Sequence, residues 1–362
     1  MVSFTKPSPS SSSSFASQTK KPTLTLICPA YNEGLIIESS VSKLCDYLAT
    51  IEEKADWDIL IINDGSSDNT AMLADQLSSE NEKINVIHHR INRNLGAALK
   101  TGFKYATGDY VLVLDLDLSY SPDHIEQLLD TIIDNDADII IASPYMKGGK
   151  TTAVPSIRLF LSKSANRIMK WTSGKDIHTF TGMVRIYRGN FLKYLNLKSS
   201  TFSVQPEIIY KAILLRAKIM EIPAHLDWSF QKERVGRVSS AKLFKGTLLG
   251  LMSSFIFKPY GFFMAIGLLL FSVALYVTGW IFLNTFLAMP DIASDSLYTQ
   301  FNAAVAQTYN DRPYSFIVAG TVLIVSFQFL SAGFLSLQSK RYFEELFHLN
   351  TSINKTTKGI DD

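Results

Sequence analysis

"VLVLDLDLSY", residues 111–120, joins an unbroken apolar run to two aspartates, Asp115 and Asp117, two positions apart. Val111 to Leu114 have the composition of a buried strand. Like charges at the end of such a strand repel and lose hydration, so a cation is expected to face them. The same pattern recurs on both sides of the stretch. Apolar strands are expected at 24–29, 57–64, 84–89, 109–117 and 137–143, and helices at 34–51, from Asp68, at 95–107 and from Ser121-Pro122. Near-continuous apolar strands alternating with helices imply an α/β fold with a mostly parallel sheet covered on both faces.

In such sheets ligands bind beyond the carboxyl ends of the strands. The polar clusters of this chain fall at those ends: "PAYNE" (29–33), "NDGSSD" (63–68), "DLDLS" (115–119) and "SPY" (143–145). Asp115, Asp117 and the Ser119 hydroxyl are hard oxygen donors of the kind that hold Mg²⁺ or Mn²⁺ together with a substrate diphosphate. Asp64-Gly65 also reads as a turn, and Asp68 and Asn94 as helix caps. No Gly-rich phosphate loop and no G-x-G-x-x-G follows the first strand, which argues against an ATPase and a dinucleotide dehydrogenase.

Composition narrows the class further. The 362 residues include 35 basic and 33 acidic ones, so there is no basic field to attract nucleic acid. Cys28 and Cys45 fit small buried hydrophobes in a reducing compartment rather than a disulfide framework. The six histidines are scattered, and adjacent His88 and His89 point to opposite faces of a strand, which disfavours a histidine metal site.

Two uncharged runs near the C-terminus, Pro259–Pro290 and Tyr314–Gln338, are each long enough to cross a bilayer. Asp291, Asp295, Asp311 and Arg312 lie between them; Lys242, Lys245, Lys258, Lys340 and Arg341 lie outside. This asymmetry predicts an integral membrane protein with its N-terminal head and C-terminal tail on the cytoplasmic side. The expected organisation is a disordered tail (1–22), a cytosolic head (23–238), a juxtamembrane amphipathic helix (239–258), two transmembrane helices (about 260–284 and 314–338, within 259–339) and a cytosolic tail (340–362). The sequence leaves homo-oligomerisation open.

Taken in order, "PAYNE", "NDGSSD", "NRNLGAALKTG", "DLDLSYSP" and "ASPYMKGG" resemble the family-two glycosyltransferases. Within them the resemblance is to the polyprenyl-phosphate sugar synthases, the group of dolichyl-phosphate mannose synthases and undecaprenyl-phosphate glucosyl- or mannosyltransferases. It covers about residues 22 to 245. It implies a type A nucleotide-sugar glycosyltransferase fold and inverting transfer of a hexose from a nucleotide sugar (UDP-glucose or GDP-mannose type) to a polyprenyl phosphate in the membrane.

Carried over position by position, the resemblance gives donor binding to Pro29, Tyr31, Glu33, Asp64, Asp115, Leu116, Asp117 and Ser119, with the metal on Asp115 and Asp117. The acceptor phosphate falls to Arg158 and Ser162 in "IRLFLSKSANRI" and to Arg185 in "DIHTFTGMVRIYRG". Arg234 and Arg237 in "QKERVGRVSS" would close over the phosphates beside Asp117 as the catalytic set. The chain departs from the family pattern at Pro144, where many relatives carry Arg, and at Asn63, the first acidic position of the usual Asp-Asp-Gly-Ser. A processive polysaccharide synthase would carry a Glu-Asp pair after residue 170 and Gln-x-x-Arg-Trp. This chain has neither, with Val235 in place of the Trp. A catalytically inactive relative that only binds nucleotide sugar is the other alternative.

Overall fold

The computed structural model describes residues 21–229, 259–289 and 296–357. The N-terminal tail up to residue 20, the juxtamembrane segment 239–258, and Arg234 and Arg237 lie outside the described residues. In chain order the head runs β1 (Thr23–Ala30), α1 (Ile37–Thr50), β2 (Asp56–Asn63), α2 (Thr70–Glu80), β3 (Ile84–His88), α3 (Leu95–Tyr105), β4 (Tyr110–Val113), α4 (His124–Asp134) and β5 (Ile139–Ser143). It continues through β6 (Lys150–Thr152), α5 (Ser156–Ser173), β7 (Arg185–Arg188), α6 (Gly189–Leu192), α7 (Val204–Leu214), β8 (Ile219–Pro223) and β9 (His225–Asp227). The apolar C-terminal region forms α8 (Pro259–Ala288), α9 (Leu297–Asp311) and α10 (Pro313–Thr357).

Seven strands form one sheet in the order β3-β2-β1-β4-β7-β5-β8. Its pairings are parallel except for β7, which runs antiparallel between β4 and β5. The sheet is therefore mixed, as a mostly parallel sheet allows. "RIYR" escapes the strand pattern because Arg185 breaks its apolar run, yet the residue is inside the protein.

Alternate side chains of each strand feed opposite layers. Leu24, Leu26 and Cys28 of β1 and Leu112 of β4 pack with Ile37, Val41, Leu44 and Leu48 of α1 and with α4. Ile27, Val111 and Val113 face the other way, into a layer holding Leu99 of α3, Ala165 and Met169 of α5, and Ile208 and Ile209 of α7. The helical spacing of α1 thus matches the face it buries.

β4 is shorter than the apolar run 109–117 predicts. Its ladder with β1 ends at Val113, and the Leu114 N–H still reaches the Ile27 carbonyl at 3.1 Å. The chain then turns, with the Leu118 N–H donating to the Asp115 carbonyl at 3.2 Å and Leu118 at φ 50°. A leucine in the left-handed region costs energy and is retained mainly where the surroundings dictate the turn. Both aspartates therefore sit on a fixed corner and not on a strand.

Tyr260–Ala288 and Pro313–Leu346 are each long and apolar enough to cross a membrane. They pack on one another at two glycines: a Cβ on Gly267 would lie 2.8 Å from Leu330, and one on Gly333 would lie 2.9 Å from Met264. Small residues at such crossings let helix backbones approach closely. Most of their large apolar side chains, including Leu269, Tyr276, Phe286 and Phe334, point outward and are exposed.

Candidate active site

Four strand ends converge on one cleft. The loop after β1 is fastened to the loop after β2 by a set of short hydrogen bonds. Asn32 N–H donates to Ser66 Oγ (3.0 Å), Ser67 N–H to Asn32 Oδ1 (2.8 Å), Glu33 N–H to Thr70 Oγ1 (2.8 Å) and Gly34 N–H to Asp68 Oδ2 (3.0 Å). Asp68 does not cap α2 from the N-cap position. It closes an Asx turn onto the Thr70 N–H at 3.0 Å while reaching across to Gly34. Asn94 precedes α3 at φ 67° without a side-chain cap. Gly96 is required by close packing, since a Cβ there would lie 2.6 Å from the Ser199 carbonyl oxygen.

Asp64 is buried at the floor of this loop pair. Its Oδ1 accepts from the Arg93 N–H at 3.0 Å and lies 2.6 Å from His89 Nδ1, whose Nε2 is 2.9 Å from Thr101 Oγ1. Adjacent His88 faces elsewhere, toward Asn63 and Asp75, as the strand alternation predicts. Asn63, standing at the usual acidic position, accepts from the Ser66 N–H at 3.1 Å and donates to His88. His89 carried no sequence signal as a site residue. Only its neighbourhood with Asp64 across β2 and β3 reveals it.

On the aspartate corner, Asp117 Oδ1 accepts from the Ser119 N–H at 2.9 Å. The Asp115 carboxyl is pushed up to about 8, first by burial, then by the charges of Asp117 and Glu33. Arg158 opposes that rise. Protonation is one relief for such a group, and a positive ligand is the other. Ser119 is buried and its carbonyl accepts from the Asp227 N–H at 2.8 Å. Leu116 packs its side chain into the core.

Among the described residues no cluster of three or more His, Cys, Asp or Glu forms a self-contained metal site. Two carboxylates on one turn nonetheless suit Mg²⁺ or Mn²⁺, which are commonly held by one or two carboxylates plus substrate phosphates. The donor set fits a cation shared with a diphosphate. Both cysteines are free.

The first turn of α5 brings Arg158 near the aspartates. The Arg158 guanidinium carbon lies 4.0 Å from the ring centroid of Trp228. Arg158 keeps solvent-exposed surface, yet partial desolvation lowers its pKa, and Tyr145, Asp117 and Asp115 counteract the shift. Trp228 is delivered there by β9, whose neighbours clamp it on two sides: Asp227 to Ser119, and the Trp228 N–H to the Thr152 carbonyl at 3.0 Å. One turn beyond Arg158, Ser162 Oγ accepts from Tyr145 OH at 2.9 Å. Asn166 Nδ2 donates to the Ser162 carbonyl (2.9 Å) and to Thr181 Oγ1 (3.0 Å).

Arg185 requires correction as an acceptor-phosphate residue. It is fully buried, and its guanidinium donates to the carbonyls of Gln205 (3.0 Å) and Phe180 (2.7 Å). The side chain braces the core and does not reach the cleft. Pro29 and Glu33 are half-buried and Tyr31 is exposed at the cleft edge, on the loop the sequence singles out.

The chain has relatives among known proteins. The family profile "Glycosyl transferase family 2" matches residues 25–195. A protein of Mycolicibacterium smegmatis named polyprenol monophosphomannose synthase is 33% identical over 205 residues, 55% of this chain and 75% of that protein. The chain belongs to glycosyltransferase family 2. This family-2 glycosyltransferase is also similar to the dolichol-phosphate mannosyltransferase of Pyrococcus furiosus, 31% identical over 202 residues and 55% of each length. A third relative, the undecaprenyl-phosphate mannosyltransferase of Micrococcus luteus, is 27% identical over 203 residues, 54% of this chain and 80% of that one. Among solved structures, glucosyl-3-phosphoglycerate synthase of Mycobacterium tuberculosis, in complex with Mn²⁺, UDP-glucose and phosphoglyceric acid, is 16% identical. It has a TM-score of 0.47 and covers 64% of this chain and 79% of that one.

Proposed function

We propose that this glycosyltransferase moves a hexose from a nucleotide sugar of the GDP-mannose or UDP-glucose type to a polyprenyl phosphate, with inversion, at the cytoplasmic face of a membrane. The observation that carries the reading is that Arg158, one helical turn before Ser162, lies close enough to Asp115 and Asp117 to be coupled to both charges. A guanidinium close enough to oppose the charges of both carboxylates suits a site that gathers phosphates. The names of the three relatives, all mannosyltransferases or synthases of phospho-linked mannose, favour mannose and a lipid phosphate. The two apolar helices would keep the head beside an acceptor that cannot leave the bilayer.

The chemistry follows from charge. A phosphate monoester has a second pKa of about 6, so at neutral pH it is already ionised and nucleophilic. The protein therefore needs no general base to activate it. Arg158 would hold the acceptor oxygen in line and screen the approach of two anions, while Trp228 and Tyr145 keep that arm in place. Asp64 and Glu33 would orient the nucleoside. A divalent cation held by Asp115 and Asp117 would supply the positive charge on which a nucleoside diphosphate departs.

The test is to incubate membranes bearing the protein with a panel of labelled GDP- and UDP-sugars, polyprenyl phosphate and Mg²⁺ or Mn²⁺, with Asp117→Ala as control. Label from one donor in the organic phase, lost in the variant, supports the reading. Label in a polymer and none in lipid would overturn it.

A further inference from the structure

Asn166 follows Ser162 by one turn of α5 and is buried, with its side-chain amide engaged at both ends. Its Oδ1 accepts from the backbone N–H groups of Phe180 (2.7 Å) and Thr181 (3.3 Å). Backbone N–H groups only donate, so this end of the amide is the oxygen and the other end is the donor. The Nδ2 group gives its hydrogens to the Ser162 carbonyl and to Thr181 Oγ1, and lies 3.5 Å from Ser162 Oγ. Thr181 Oγ1 is therefore the acceptor in its bond, and its own hydrogen points elsewhere. Ser162 Oγ stands in the same condition, because it accepts from Tyr145 OH at 2.9 Å. Both residues are half-buried, and among the described residues neither hydroxyl hydrogen meets an acceptor. Two hydroxyl donors from distant parts of the chain thus flank one amide, a turn away from Arg158.

The backbone that carries Thr181 is tied down from two further sides. Glu221 of β8, its carboxylate buried, accepts from the N–H groups of His178 and Thr179, each at 2.8 Å. Thr179 Oγ1 lies 2.7 Å from Ser143 Oγ at the end of β5. Donors held this firmly lose little freedom when a ligand arrives. Hydroxyls beside a guanidinium suit an oxyanion, since hydrogen bonds to an ionised acceptor are the stronger kind.

We propose that Thr181 is a substrate-binding residue, donating its hydroxyl hydrogen to one terminal oxygen of the acceptor phosphate while Ser162 donates to a second. Asn166 is the positioning residue that sets the direction of the Thr181 hydrogen. The assignment rests on the function proposed above. A hydroxyl holds an oxygen without taking away the negative charge. The third terminal oxygen, beside Arg158, keeps the electron pair that forms the bond to the sugar carbon. The nucleoside diphosphate leaves with the electrons of the bond that breaks.

Calorimetric titration of the full-length protein in detergent with a short-chain prenyl phosphate tests the contact without any assay of transfer. Thr181→Val keeps the shape of the side chain and removes the hydroxyl. It is expected to weaken prenyl phosphate binding about 10- to 100-fold. Thr181→Ser, which keeps the hydroxyl, is expected to recover most of that loss. The affinities for the matching prenyl alcohol and for the nucleoside diphosphate with Mg²⁺ are expected to hold in both variants.

Equal prenyl phosphate affinity in wild type and Thr181→Val would overturn the proposal. So would a loss shared by the alcohol, which would place the defect in packing, or a loss confined to the nucleoside diphosphate, which would give the hydroxyl to the donor. A wild type that binds no prenyl phosphate would sink the functional reading and this assignment together. A wild type that binds it, with Thr181→Val its equal, sinks the assignment alone. In transfer assays the same substitution is expected to raise acceptor KM by the same factor and to leave donor KM unchanged.

Discussion

Arg158 and Trp228 are stacked, guanidinium carbon to indole centroid 4.0 Å, although 70 positions separate them in the chain. The stack is made possible by β9, which threads between the aspartate corner and β6. A guanidinium over an indole face gains about 0.5–2 kcal/mol, depending on its desolvation. Trp228→Leu is therefore expected to raise the acceptor KM by roughly 2- to 30-fold while leaving donor KM unchanged. Trp228→Phe keeps a ring face and should restore most of the loss. Steady-state kinetics with each substrate varied in turn separate a positioning role from general destabilisation, which would lower kcat for both.

Asp115 and Asp117 share one turn and are proposed to hold a divalent cation between them. Chelation by EDTA is expected to abolish transfer, with Mn²⁺ or Mg²⁺ restoring it. Asp117→Asn should lower kcat by at least about a hundredfold, given that a catalytic cation contributes several kcal/mol. Calorimetric titration of the nucleoside diphosphate provides the check: the wild-type affinity should depend on the metal and the variant's should not. Metal-independent transfer at the wild-type rate would remove the cation from the mechanism.

The parts of the site written in local sequence were legible, and the parts assembled across the sheet were not. Apolar runs ending in "PAYNE", "NDGSSD" and "DLDLS" located the cleft because a parallel sheet places every strand's carboxyl end on one edge. β7 was missed because a buried arginine defeats a hydrophobicity pattern. Arg185 differs for a related reason: the resemblance gives it to the acceptor phosphate, while its burial and carbonyl partners come from packing. His89 and Trp228 reach the site only through neighbours 25 and 70 residues away, Asp64 and Arg158. No spacing rule on a single chain encodes such contacts.

His89 is expected to act through Asp64. The His89–Asp64 contact at 2.6 Å and the Arg93 N–H engage one carboxylate oxygen and so fix the direction of the other. Hydrogen bonds to charged groups contribute about 1.5–3 kcal/mol, so His89→Ala should raise donor KM by roughly 10- to 100-fold. His89→Gln, which can still donate, should recover part of it, and acceptor KM should stay put. Equal changes in both KM values would show that the histidine serves only the fold.

Arg185 provides the converse test, a charge expected to matter for stability and not for substrate. Arg185→Leu would remove the charged donor to the Gln205 and Phe180 carbonyls inside the protein. A hydrogen bond from a charged donor contributes about 1.5–3 kcal/mol. For a head of this size Tm should fall by roughly 2–4 °C per kcal/mol, so a drop of about 5 °C or more is expected. The folded fraction should retain the wild-type acceptor KM when assayed well below its melting temperature. Arg185→Lys should not rescue stability, because an ammonium cannot span two carbonyls as the planar fork does. A variant with intact Tm and a raised acceptor KM would return Arg185 to the phosphate site.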